Sequence, residues 1–124
     1  MKRCVFSLLV AFGCAACVTP VIPLPPPDPT RMTVALEATS KDRVTLGNPP
    51  TPALGGSYVF VLNVDASAGV IVRAQAVGSF QSPPFAASEG HRLNLWTAQS
   101  PDDQPSEVAC AVLRLAAGRL DRCP

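Results

Sequence analysis

Tyr58-Val59-Phe60-Val61-Leu62-Asn63-Val64 and Val70-Ile71-Val72-Arg73-Ala74-Gln75-Ala76-Val77 stand on either side of Asp65-Ala66-Ser67-Ala68-Gly69. β-branched and aromatic residues dominate both arms. They suit the pleated, half-covered backbone of a strand, and β-branching costs a helix side-chain freedom. A five-residue gap containing Gly reads as a hairpin connection. Pairing Val64 with Val70 also pairs Leu62 with Val72, Phe60 with Ala74 and Tyr58 with Ala76, every pair apolar or small. That register makes one face core. It leaves the other mixed, with Val59, Val61, Asn63, Ile71, Arg73 and Gln75, as in an antiparallel sheet covered on one side.

Downstream, Ser79 to Gly90 carries Pro83-Pro84 and ends in Ser88-Glu89-Gly90, so it reads as a connection. His91 to Gln99 is another strand, with Leu93, Leu95 and Thr97 on one face and Asn94, Trp96 and Ala98 on the other. Ser100 to Ser106 is a turn, and Glu107 to Leu115 a β-rich strand with apolar residues on both faces. Gly118 and Arg119 then lead into Leu120-Asp121-Arg122-Cys123. If Cys110 faces Cys123 across a hairpin, the chain reverses around Ala116-Ala117, and the opposed side chains come close enough for a disulfide. Two thiols with His91 alone are too few ligands for a structural zinc.

Upstream, Met32 to about Ala38 alternates as a strand, Ser40-Lys41-Asp42 turns, Arg43 to Leu46 is a short strand, and Gly47 to Ser57 is a loop by composition. The chain from 32 to 124 is therefore expected to be one all-β domain of six or seven short strands. Its expected form is a small antiparallel β-sandwich of immunoglobulin-like or transthyretin-like type.

Six prolines between Pro20 and Pro29 mark residues 18–31 as an extended, semi-rigid spacer. Before it, Lys2 and Arg3, an apolar run from Val5 to Gly13 and the small pair Ala15-Ala16 make a secretory signal over residues 1–16. The apolar run is shorter than the ~20 residues a membrane span needs. Cys14-Ala15-Ala16-Cys17 resembles a bacterial lipoprotein signal: an aliphatic residue, two small residues, then the cysteine that takes lipid on its sulfur. Cys14 stands where that pattern has Leu. The rival frame, Ala11-Phe12-Gly13-Cys14, carries bulky Phe12 at a small position. Cleavage before Cys17 removes Cys4 and Cys14, lipid occupies Cys17, and Cys110 and Cys123 remain as an even pair. Cleavage before Cys14 leaves Cys17 a free thiol in an oxidising compartment. The resemblance implies an outer-membrane lipoprotein facing the periplasm, because the residue after the lipidated cysteine is Val18 and not Asp. Without lipid the protein is periplasmic or secreted.

Losing Lys2 and Arg3 leaves 8 cations against 9 acids, which is no electrostatic footprint for nucleic acid. No Gly-x-Ser-x-Gly elbow, phosphate-cradling glycine loop or His-Glu-x-x-His pattern occurs, so no enzyme and no cofactor is expected. His91 reads as a surface residue, and Asp102, Asp103 and Glu107 as solvated turn residues. Trp96, the only tryptophan, reads as core; its alternative, with Tyr58, is an aromatic anchor on a binding surface. The expected function is that of an accessory or structural protein, bound to the membrane through its lipid. It would bind an envelope protein by a sheet face or exposed edge strand, in a secretion or envelope assembly. Small outer-membrane lipoproteins with β-sandwich domains occur in secretion machines, as pilotins or as the lipoprotein of type VI secretion; the likeness is one of size, location and fold class. The alternative is a ligand-binding or inhibitor module using loops 79–90 and 100–106.

Overall fold

The computed structural model describes residues 24–124; the signal segment, Cys14 and Cys17 lie outside them. Nine strands follow in order: β1 (Thr33–Leu36), β2 (Arg43–Asn48), β3 (Tyr58–Asn63), β4 (Ala68–Arg73), β5 (Phe80–Gln81), β6 (Phe85–Ala86), β7 (Arg92–Ala98), β8 (Ala109–Arg114) and β9 (Arg119–Arg122). The two beyond the expected number, β5 and β6, come from the stretch expected to be a plain connection. Each is two residues long, and both pair with β2. Between them Ser82 donates its N–H to the Leu46 carbonyl, and its hydroxyl accepts the Leu46 N–H, both at 2.8 Å.

The fold is all-β, and every strand pair is antiparallel. The strands run β4-β3-β7-β8-β9-β1-β2-β5, with β6 also on β2. The sheet curls until β4 comes close to β5 and β6, with no ladder joining them among the described residues, so it is nearly closed. Its inner face is filled by Val59 and Val61, Leu93 and Leu95, Ala111 and Leu113, Leu120, Val44 and Leu46, with Phe80 and Phe85 from the short strands. Burying each of the larger side chains contributes about 1.5–3 kcal/mol.

The first hairpin corrects the expected register. Tyr58 pairs with Arg73, Phe60 with Ile71 and Leu62 with Gly69, three residues away from the expected partners. An odd shift exchanges faces on one strand relative to the other. The inward residues of β3 are Val59, Val61 and Asn63, so Tyr58, Phe60 and Leu62 point outward. The cause is the turn. The Asn63 side-chain oxygen accepts the N–H groups of Asp65 (3.0 Å) and Ala66 (3.2 Å), and Ser67 takes a left-handed φ of 50°. The loop is therefore the four residues Val64–Ser67, and pairing resumes at Ala68. The C-terminal hairpin has the expected register, Ala111 opposite Arg122, which brings Cys110 and Cys123 to a Cα separation of 5.5 Å and joins them by a disulfide. Its reversal takes four residues instead of two, Leu115–Gly118, with Gly118 at φ 65°.

Residues 25–31, expected to be free spacer, lie on the domain. The Thr97 hydroxyl donates to the Pro25 carbonyl at 2.9 Å, Pro27 and Pro29 are buried, and Asp28 pairs with Arg122 at 3.4 Å. There is room for this strap because β1 and β9 pair only at Thr33 and Arg119. The 3-10 turn Pro29–Arg31 packs beside β9 where the ladder is missing.

Candidate binding surface

Alternation decides what the outside of β4, β3 and β7 carries. With Val59, Val61, Leu93 and Leu95 inward, the outward residues are Tyr58, Phe60 and Leu62 on β3, Gly69, Ile71 and Arg73 on β4, and Arg92, Asn94, Trp96 and the covered Ala98 on β7. Phe60 sits directly opposite Trp96, and their rings stack with centroids 5.3 Å apart and planes 3° from parallel. Trp96 is thus half-buried on the outer face, and the core reading of Trp96 is corrected. Its cover is Phe60, a residue the sequence reading had assigned to the core.

Tyr58 shares this face one pair further along, opposite Ala98, with the Arg73 guanidinium 5.5 Å from its ring centroid. That geometry is a cation–π contact, which holds a charge over an aromatic face. Tyr58 and Trp96 therefore lie on one surface, with Phe60 between them. Ile71 is 55 % exposed beside Phe60. Phe60, Leu62, Ile71 and Trp96 wall a shallow groove of about 480 Å³ whose floor opens at Gly69. A side chain at Gly69 would strike the Val61 carbonyl oxygen at 2.6 Å, so the close approach of β3 requires glycine there and leaves the trough.

The other singled-out residues take different places. Half-buried His91 accepts hydrogen bonds at Nδ1 from the Ser88 N–H (3.1 Å) and the Asn63 amide (3.0 Å) and ties the 88–91 turn to β3. Asp102 and Asp103 are exposed in the β7–β8 loop. No group of three His, Cys, Asp or Glu among the described residues is arranged to hold a metal. Loop 79–90 spends residues 80–81 and 85–86 on pairing with β2, while loop 100–106 leads from β7 into β8. A second groove lies along the strap, between Pro26–Pro29 and the Cys110–Cys123 bond.

Buried polar groups are accounted for. Among the described residues no buried side-chain nitrogen or oxygen lacks a hydrogen-bond partner. The chemistry available on the outer face is apolar and aromatic contact edged by arginine, which suits recognition of a surface. No protein-family model, curated protein or solved structure matches the chain.

Proposed function

We propose that this chain is a non-enzymatic accessory protein of the bacterial envelope, anchored by lipid on Cys17 to the outer membrane and facing the periplasm. It engages another envelope component through the outer face of β4, β3 and β7. The observation that carries the reading is the outward-facing Ile71–Phe60–Trp96 row, with Ile71 exposed and the two rings half-buried, on a domain whose interior is already filled. Apolar residues scattered singly on a surface need no explanation, whereas a contiguous aromatic patch marks an interaction site. Participation in a secretion or envelope assembly belongs to the same proposal, on the size and location of the protein.

The finer fold reading, a small two-layer sandwich of immunoglobulin-like or transthyretin-like type, is also proposed here. What supports it is the thinness of the sheet's two joints. β9 meets β1 at one residue pair, and β4 meets β5 and β6 without a ladder, so β4-β3-β7-β8-β9 and β1-β2-β5-β6 form two groups facing across the core.

The anchor is tested by labelling cells with a fatty acid, which should mark the wild type and not Cys17→Ser. The surface is tested with a photocrosslinking residue at Ile71 or Leu62, and at Leu36 on β1 as a control. Adducts from 71 and 62 only support the outer face; equal adducts from all three positions refute it.

A further inference from the structure

We infer that the outer face of β4, β3 and β7 docks on the lipid surface beside the protein's own anchor, with Trp96, Phe60 and Ile71 at headgroup level. This rests on the proposed lipidation of Cys17. It names the bilayer as the envelope component that the face engages.

The first argument is the length of the tether. Thr97 follows Trp96 along β7, and its side chain, on the opposite face from Trp96, holds the Pro25 carbonyl at that end of the strand. Eight residue steps lead from Cys17 to Pro25. At ~3.6 Å each at full extension, they reach no farther than ~29 Å, about the diameter of the domain itself. The strap has taken up residues 25–31, so they add no reach. The end of the domain carrying Tyr58, Arg73 and Trp96 is therefore held close to the bilayer at high effective concentration, where even a weak contact is populated.

The second argument is charge. None of the ten outward residues of the three strands is acidic, and two are arginines. Arg73 lies opposite Tyr58 at the tether end. At the far end Asp65 accepts the Arg92 N–H at 2.7 Å and sets a negative charge beside Arg92. Asp102, Asp103 and Glu107 are exposed in the segment that continues from Ala98 to β8, outside the three strands of this face. Arg73 at the tether end and Arg92 at the far end are the charged side chains of this face, and both match anionic headgroups. Tyr and Trp, apolar in the ring and polar at one edge, suit the interface between acyl chain and water.

Trp96 is the chain's single tryptophan and so reports on this face alone. The native lipoprotein, reconstituted into phosphatidylethanolamine/phosphatidylglycerol vesicles, should have its Trp96 emission shifted to the blue and quenched by brominated acyl chains. Ile71→Asp should lose the quenching while still floating with the vesicles. In the unlipidated chain, Arg73→Gln, which leaves the apolar patch intact, should weaken partition onto the anionic vesicles about fivefold. Floating protein whose Trp96 stays as accessible to aqueous iodide as in detergent overturns the inference and leaves the anchor standing. Crosslinks from Ile71 to a protein, with no bromine quenching, overturn it in favour of a protein partner. Absence of lipid on Cys17 sinks the anchored reading instead. The unlipidated chain then decides: quenching by brominated anionic vesicles sustains the docking face, and no quenching ends it.

Discussion

Ser106 returns both main-chain hydrogen bonds of Thr97: its N–H donates to the Thr97 carbonyl at 2.7 Å, and its hydroxyl accepts the Thr97 N–H at 2.9 Å. Ser82 does the same for Leu46. Both serines are buried where a regular ladder stops, so one residue substitutes for a missing strand. Ser106→Ala and Ser82→Ala each leave a buried N–H unpaired. Each should cost about 1–3 kcal/mol in urea unfolding. Wild-type stability in both variants would mean that water or a rearranged backbone takes over the bond.

The turn that corrected the register makes an opposed pair of predictions. Ser67→Gly relieves a left-handed serine and should gain about 1 kcal/mol. Asn63→Ala removes the acceptor of the Asp65 and Ala66 N–H groups and the donor to the Ala86 carbonyl, and should lose about 2–3 kcal/mol. Thermal melts of the two variants, moving in opposite directions from the parent, are the check.

The strap separates two parts of the proline-rich stretch. Replacing residues 18–23 with Gly/Ser should leave the melting temperature unchanged. The same replacement over 25–31 discards the Thr97 bond and buried Pro27 and Pro29, and should lower it by several degrees. Equal melts would return the whole stretch to the role of a loose tether.

For the disulfide, the unreduced exported protein should weigh two hydrogens less than its reduced form. Cys110→Ala/Cys123→Ala should cost about 1–3 kcal/mol, because the closed loop is short.

Two carboxylates set the acid limb. Asp28 is held below the ordinary aspartate range chiefly by the Thr30 hydroxyl, with the Thr30 N–H and Arg122 assisting against a small cost of burial. Asp121 is lowered first by Arg119 and then by Arg114. A depressed carboxylate stabilises the fold above its ordinary value and stops doing so as pH falls through its lowered one. The melting temperature should therefore begin to fall below about pH 4, and Asp28→Asn/Asp121→Asn should flatten that fall.

Strand identity was legible wherever alternation was long. His91 to Gln99 reads as a strand with Leu93, Leu95 and Thr97 together, and these three are fully buried on one face. The same alternation puts Trp96 on the opposite side, so its outward position is legible in the sequence even though large aromatic rings tend to be buried. The first hairpin failed for another reason. Apolar residues occupy both faces of 58–64, so hydrophobicity could not choose a register. The choice was made by the Asn63 side chain and the left-handed Ser67, neither of which has a strong signature. The C-terminal hairpin succeeded because a covalent pair leaves one register. Phe60 as the stacking partner of Trp96, and the strap over β9, depend on which strands become neighbours. Local sequence does not carry that information.

Ribosomes deliver a chain N-terminus first, and here that order has a cost in time. β9 comes last of the nine described strands along the chain, yet it lies between β8 and β1, in the middle of the strand order. Until Arg119–Arg122 arrive, the two halves of the sheet have no joint on that side, and the Pro29–Arg31 turn has no strand to rest on. The first described residues and the last must therefore wait for each other. A chain cut before Arg119 should behave as an open, protease-sensitive half-fold rather than as a slightly shortened domain.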